Sequence, residues 1–193
     1  LKCTLKILSL FPKYLNLSVI GYGCTSGATI IGEKKIKTII GDIHPGISVT
    51  NPLTAAKEAL RVLNIKRLGL VTPYSPDVTQ SMEANFKEAG FEVTELGSFF
   101  EEDDKIVGKI DPESILKATL EIGANKACDG VFISCTNLRA SSIIEKAEAL
   151  LGKPVTASNH ALAWHMMRLA GIDDKINSLG KLFKISRADF IRH

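Results

Sequence analysis

Long hydrophobic runs are missing from this chain. No apolar stretch approaches the roughly 20 residues that a membrane-spanning helix needs. Charge of one sign is missing too: 24 Lys and Arg against 21 Asp and Glu leave a formal net charge of +3. With no basic run interleaved with aromatics, so small an excess does not point to nucleic acid, though it suits an anionic small molecule. Cysteine is scarce. Cys3, Cys24, Cys128 and Cys135 form no C-x-x-C pair, which argues against a zinc site. Four cysteines in 193 residues do not make a disulfide-built scaffold either. Free thiols then imply a reducing compartment, and a cytoplasmic location is the expectation. The stretch from Leu1 to Leu17 is interrupted by Lys2, Lys6 and Lys13 and is followed by no clean small-residue cleavage site, so it is not read as a secretion signal.

What is present has an ordinary balance for a water-soluble globular chain, 45% hydrophobic and 23% charged. The length suits one large domain or two small lobes around a cleft. Apolar runs alternate with helical patterns. Strands are predicted at Leu17–Tyr22, Arg67–Val71, Phe91–Leu96, Gly130–Ser134 and Lys153–Ala157. Helices are predicted at Ala28–Ile40, Pro52–Leu63, Pro76–Glu88, Pro112–Ile122, Ala140–Leu151 and Asn159–Leu169. Asn51 and Asp111 each precede a proline and read as N-caps; Gly90 and Gly152 read as C-terminal stops. The acidic run Glu101–Asp104 reads as a solvated loop or a helix start rather than a metal site. The tail from Asp173 carries little pattern. Strands alternating with helices of this length predict parallel βαβ units, with ligands beyond the carboxyl ends of the strands.

Two strand ends share an unusual context. Ser18-Val-Ile-Gly-Tyr-Gly-Cys24-Thr25-Ser26-Gly27 and Gly130-Val-Phe-Ile-Ser-Cys135-Thr136-Asn137 both run from an apolar strand into Cys-Thr and a small polar residue. A helix start after such a cysteine lowers the thiol's pKa, and the residues that follow offer donors to a carboxylate. One thiol can then attack or take a proton while the other gives one. Cys3 and Cys128 read as structural, as do His160 and His165, whose spacing is poor for a shared metal. His44, before Pro45 and Gly46, reads as a turn element. Arg139 is equally compatible with a carboxylate clamp and a surface ion pair.

At these residues the chain resembles the aspartate/glutamate racemase superfamily, in its maleate cis–trans isomerase and arylmalonate decarboxylase branch. Gly21-Tyr-Gly-Cys-Thr-Ser-Gly-Ala-Thr-Ile-Ile-Gly32 looks like the first-cysteine motif and Ser134-Cys-Thr-Asn-Leu-Arg139 like the second. His44-Pro-Gly46, Val71-Thr-Pro-Tyr74 and Ser158-Asn-His-Ala-Leu-Ala-Trp-His165 fit as well. Two-cysteine proteins of ectoine-utilisation clusters are similar too. The resemblance implies an α/β fold of two flavodoxin-like lobes with parallel sheets, related by a pseudo-twofold, with the site in the interlobe cleft. Family members carry a further βα unit before the first motif, so the N-terminal unit here reads as shortened. The lobes are expected at residues 1–65 with 158–193, and at 66–157.

The resemblance also implies chemistry. In the isomerases the cysteine at the Cys24 position attacks an alkene carbon and the one at the Cys135 position is the acid or base. In the racemases the two work on opposite faces of Cα. Thr25, Ser26, Tyr74, Thr136 and Asn137 are carried over as substrate binders. The expectation is a cofactor-independent, metal-free isomerase converting a small dicarboxylate of the maleate type to its trans isomer. The alternatives are racemisation of an amino- or hydroxy-carboxylate, decarboxylation of an arylmalonate, and ligand binding without catalysis. Decarboxylases of this branch keep only the second cysteine, so Cys24 speaks against the third. A small carboxylate is the expected partner, with no nucleic acid or membrane, and homo-oligomers are allowed for.

Overall fold

The computed structural model describes residues 16–186 and residue 189; Cys3 lies outside them. Two parallel sheets organise the chain. The first pairs β1 (Val19–Gly21) with β2 (Ser48–Thr50). The second has the order β4-β3-β5-β6, from β3 (Arg67–Thr72), β4 (Glu92–Ser98), β5 (Gly130–Ile133) and β6 (Val155–Ala157). Every pairing is parallel. β5 and β6 are buried along their whole length, as expected where helices cover both faces.

Helices connect the strands. Between β1 and β2 lie α1 (Thr25–Ile31) and α2 (Glu33–Ile43), and α3 (Pro52–Val62) follows β2. α4 (Pro76–Glu88) joins β3 to β4, while the short α5 (Asp104–Val107) and α6 (Pro112–Gly123) lead to β5. α7 (Ile144–Leu151) precedes β6, and α8 (Ser158–Leu169) starts with no linker after it. The caps form as their chemistry dictates. Asn51 Oδ1 accepts from the N–H groups of Leu53 and Thr54, each at 3.0 Å, and the Asp111 carboxylate accepts from those of Glu113 and Ser114.

One apolar cluster lies under α6 and α7 around Val131 and Ile133; a second, around Leu70, Phe86 and Phe132, joins α2, α3 and α4 to the strands. A third binds α3 to α8 through Ala55, Ala59, Ala161 and Trp164. α8 thus leaves the end of the four-stranded sheet and packs back on α3 and the two-stranded sheet.

Several elements differ from the sequence reading. The single helix expected at Ala28–Ile40 is two, broken at Gly32, whose φ of +92° no side-chain-bearing residue adopts readily. β2 was not expected: three residues are too short to show alternation. Helix α7 begins at Ile144 rather than Ala140, because residues 141–143 form a turn. The tail is held. Leu182 and Phe183 are buried with Trp164, and the Arg168 guanidinium donates to the carbonyls of Ile172, Asp174 and Ile185.

Candidate active site

The carboxyl ends of β1, β3 and β5 meet at one cavity of about 370 Å³. Gly23, Cys24, Thr25, Ser26, Tyr74, Asp104, Cys135, Thr136 and Asn137 line it. All seven residues singled out from the sequence are therefore brought together, from loops far apart in the chain.

The first loop is built by a helix cap. Cys24 is the N-cap of α1, with extended backbone, and its sulfur accepts the Gly27 N–H at 3.3 Å. The Ser26 hydroxyl lies 3.5 Å from the same sulfur. Thr25 and Ser26 occupy the first turn, where N–H groups have no intrahelical partner. Cys24 is exposed.

The second loop is different. No helix starts at Cys135; a turn follows it, and α7 begins at Ile144. Cys135 is buried and sits at φ +97°, a strained conformation for a residue with a side chain. Burial pushes its thiol up, against the N–H groups of Asn137 and Leu138 and the Tyr74 hydroxyl, which pull it down. The lowered thiol pKa expected from a helix start is thus corrected for this cysteine, because desolvation outweighs the donors.

Ser158, at the start of α8, joins the two loops. Its hydroxyl oxygen accepts the Cys135 N–H at 3.0 Å and the Thr25 hydroxyl at 2.9 Å. The Thr136 hydroxyl donates to the Gly23 carbonyl at 2.9 Å, a second tie between them. Asn159 Nδ2 donates to the carbonyls of Thr136 and Leu138. The Asn137 side chain is engaged with the Asp104 carbonyl, which leaves its backbone N–H, directed at Cys135, as its contribution nearest the sulfur.

Tyr74 is half-buried beside Cys135, on the wall of the same cavity. Burial, then the neighbouring Cys135 charge, raises its hydroxyl far above the ordinary phenol range. It therefore stays protonated, a hydrogen-bond donor. Ser98 holds its backbone by donating to the Tyr74 carbonyl at 2.7 Å.

Other singled-out residues stand apart from the cavity. Arg139 donates to the carbonyls of Lys109 and Ile110, at 3.4 and 3.2 Å, so it is a loop brace and not a clamp. Cys128 is buried under β3 and donates to the Gly130 carbonyl. His160 and His165 are buried, the first bonded to Thr156 and the Leu179 carbonyl, the second to Thr50. Among the described residues no cluster of three metal-ligating side chains occurs.

Sequence reasoning missed Ser158 and Asp104. Ser158 lies inside a quoted motif, but which motif residue touches which is a tertiary fact. Asp104 was read as part of a solvated acidic run; Asp103 is the one that caps α5, leaving Asp104 on the cavity wall.

Residues 36–183 match the family model described as arylmalonate decarboxylase. The chain belongs to the arylmalonate decarboxylase family. Within reach of that family, it is 24% identical over 174 residues to a maleate isomerase of Pseudomonas putida, covering 86% of this chain and 70% of that protein. It is 29% identical over 140 residues to the arylmalonate decarboxylase of Bordetella bronchiseptica, covering 72% of this chain and 58% of that one. Among solved structures, a cysteine-to-serine mutant of Nocardia farcinica maleate cis–trans isomerase with a covalently bound succinylcysteine intermediate superposes with a TM-score of 0.84 at 22% identity. That match covers 95% of this chain and 76% of the other. The likeness bears out the expected two-lobed α/β fold with parallel sheets.

Proposed function

We propose that this chain is a cofactor-independent isomerase of a small carboxylate, of the maleate-to-fumarate type, working through Cys24 and Cys135. The observation that carries the reading is the convergence of both Cys-Thr loops on one cavity. Exposed Cys24 is the nucleophile. Its thiolate attacks one alkene carbon, and the π pair moves toward the adjacent carboxylate. Buried Cys135, held protonated, delivers its proton to the second carbon and leaves a succinyl thioether. The former double bond, now single, rotates. Cys135 takes the proton back, the alkene re-forms and the carbon–sulfur bond breaks. Thr25, Ser26, Thr136 and Asn137 hold the carboxylates mostly through backbone N–H groups, and Tyr74 donates to one of them. The covalent succinylcysteine named in the Nocardia structure supports this course.

One observation favours a second reading, racemisation of an amino acid. Asp104 lines the cavity, and no Lys or Arg is among its lining residues. A carboxylate there would hold a substrate ammonium better than a second carboxylate. Cys24 and Cys135 would then act as base and acid on opposite faces of Cα.

Proton NMR of maleate incubated with the protein, beside intact-protein mass, separates these. Fumarate together with a succinyl adduct on Cys24 is the expected result. No fumarate, but deuterium incorporation at Cα of an amino acid, would replace the first reading by the second. The lobes are proposed to divide at residues 1–65 with 158–193 against 66–157, so that each contributes one cysteine.

A further inference from the structure

Cys135 lies where β5 leaves its sheet. On one side, the last ladder bond to β3 runs from the Ser134 N–H to the Val71 carbonyl at 2.7 Å. On the other, β5 pairs with β6 in a register that sets Ile133 beside Ala157 and takes the Val131 N–H to the Pro154 carbonyl. Continued to Cys135, the same offset of 23 residues leads to Ser158. The backbone there has already turned into α8, so β6 offers no further strand carbonyl. The Ser158 side chain supplies the acceptor instead: its hydroxyl oxygen takes the Cys135 N–H at 3.0 Å. Ser158 is fully buried, so this bond lies away from solvent. The next residue, Asn159, holds the turn that follows, its Nδ2 donating to the Thr136 and Leu138 carbonyls, each at 3.3 Å. Between these anchors Cys135 takes its φ of +97°, a conformation that persists only where the surroundings over-determine it.

We propose that Ser158 is a positioning residue for Cys135: its hydroxyl oxygen replaces the missing ladder carbonyl and, with Asn159, holds the strained backbone that keeps the thiol at the cavity. The same oxygen accepts the Thr25 hydroxyl at 2.9 Å, so the two cysteine loops share one anchor. Ser158 is absent from the cavity lining, so it acts through Cys135 and not on a substrate. An apolar residue at this position would leave the Cys135 N–H buried and unsatisfied. The turn would then relax toward a backbone conformation that a residue with a side chain adopts more readily, and the sulfur would leave its buried position. The proposal rests on the two-thiol reading above, yet its test needs no substrate.

The experiment is the rate of iodoacetamide alkylation at Cys135 near neutral pH, read by peptide mass. The full chain carrying Cys24→Ala is the parent, so that a label on the exposed thiol does not block the cavity. Adding Ser158→Ala is expected to raise the Cys135 rate about fivefold, the effect of one lost hydrogen bond on a local opening. Cys128, buried and outside the cavity, is expected to keep its rate. Asn159→Asp keeps the side-chain acceptor but sets a carboxylate against the Thr136 and Leu138 carbonyls. It is expected to raise the Cys135 rate in the same way, and it decides the case if circular dichroism shows that Ser158→Ala does not fold. An unchanged Cys135 rate in a folded variant would overturn the proposal. So would a parallel rise at Cys128, which marks a general loosening of the fold. Maleate left unconverted by the unsubstituted chain, with Cys135 released in the variants as expected, would overturn only the isomerase reading.

Discussion

Cys24 and Cys135 share a sequence context but not an environment. One is an exposed helix cap; the other is buried on a strained backbone. In the proposed mechanism this difference suits the first to attack and the second to proton transfer. Cys24→Ala and Cys135→Ala should each lower turnover by roughly three orders of magnitude or more, since the two act as a unit, while circular dichroism stays that of the parent. Parental rates in both would end the two-thiol mechanism. Ser158→Ala removes the shared acceptor of the Cys135 N–H and the Thr25 hydroxyl. A stability loss of about 1–3 kcal/mol is expected in denaturant titration, the cost of an unsatisfied buried donor, together with a fall in turnover. The pair of Cys-Thr motifs was readable because strand, thiol and turn are local. Ser158 was not, because its partners lie 23 and 133 residues away.

At the scale of elements, Gly32 and the tail set the tests. Gly32 separates α1 from α2 at φ +92°, so a side chain there is strained. Gly32→Ala should cost about 1–3 kcal/mol and, by disturbing α1, should loosen the Cys24 loop. The tail closes over α8 with Phe183 buried and its ring tilted against that of His160, centroids 4.8 Å apart. Phe183→Ala should cost about 3–5 kcal/mol, against a change within about 0.5 kcal/mol for the exposed Leu150→Ala; urea melts of the two variants check both. Most βα elements were legible because capping residues and apolar runs mark them. Gly32 was not, since a glycine within a helical pattern is common and only its dihedral decides. The tail was not, because its apolar residues match no period and find their partners far off in sequence, in the cluster shared by α3 and α8.

For the whole molecule, two buried histidines set the acid limit. Burial holds His160 and His165 neutral, each lowered to about 4. The Leu179 carbonyl can only accept, so Nε2 of His160 carries the proton and Nδ1 accepts from Thr156. A lowered imidazole pKa means that the unfolded chain takes up protons first as pH falls. Stability should therefore be full above the ordinary histidine value near 6.5 and decline from there toward pH 4. The alkaline side follows the opposite sign. Cys128 and Cys135 are raised by burial, so the unfolded chain releases protons first and stability should fall as pH rises through the thiol range. Thermal melts from pH 4 to 10 would test both limbs; a flat acid limb would contradict the buried neutral histidines. Chelators are expected to leave turnover unchanged, and activity lost to them and restored by added metal would refute the cofactor-free reading.

By itself the sequence determined the alternation of strands and helices, the caps at Asn51 and Asp111, and the two Cys-Thr strand ends. These depend on neighbours a few residues apart, where periodicity, N-cap chemistry and apolar runs act directly. Only the tertiary structure decided that the seven candidate residues share one cavity and that Ser158 bridges its loops. It alone buried one thiol while leaving the other open. Burial and long-range hydrogen bonds are properties of packed elements, and they set the protonation of each group that the chemistry would use.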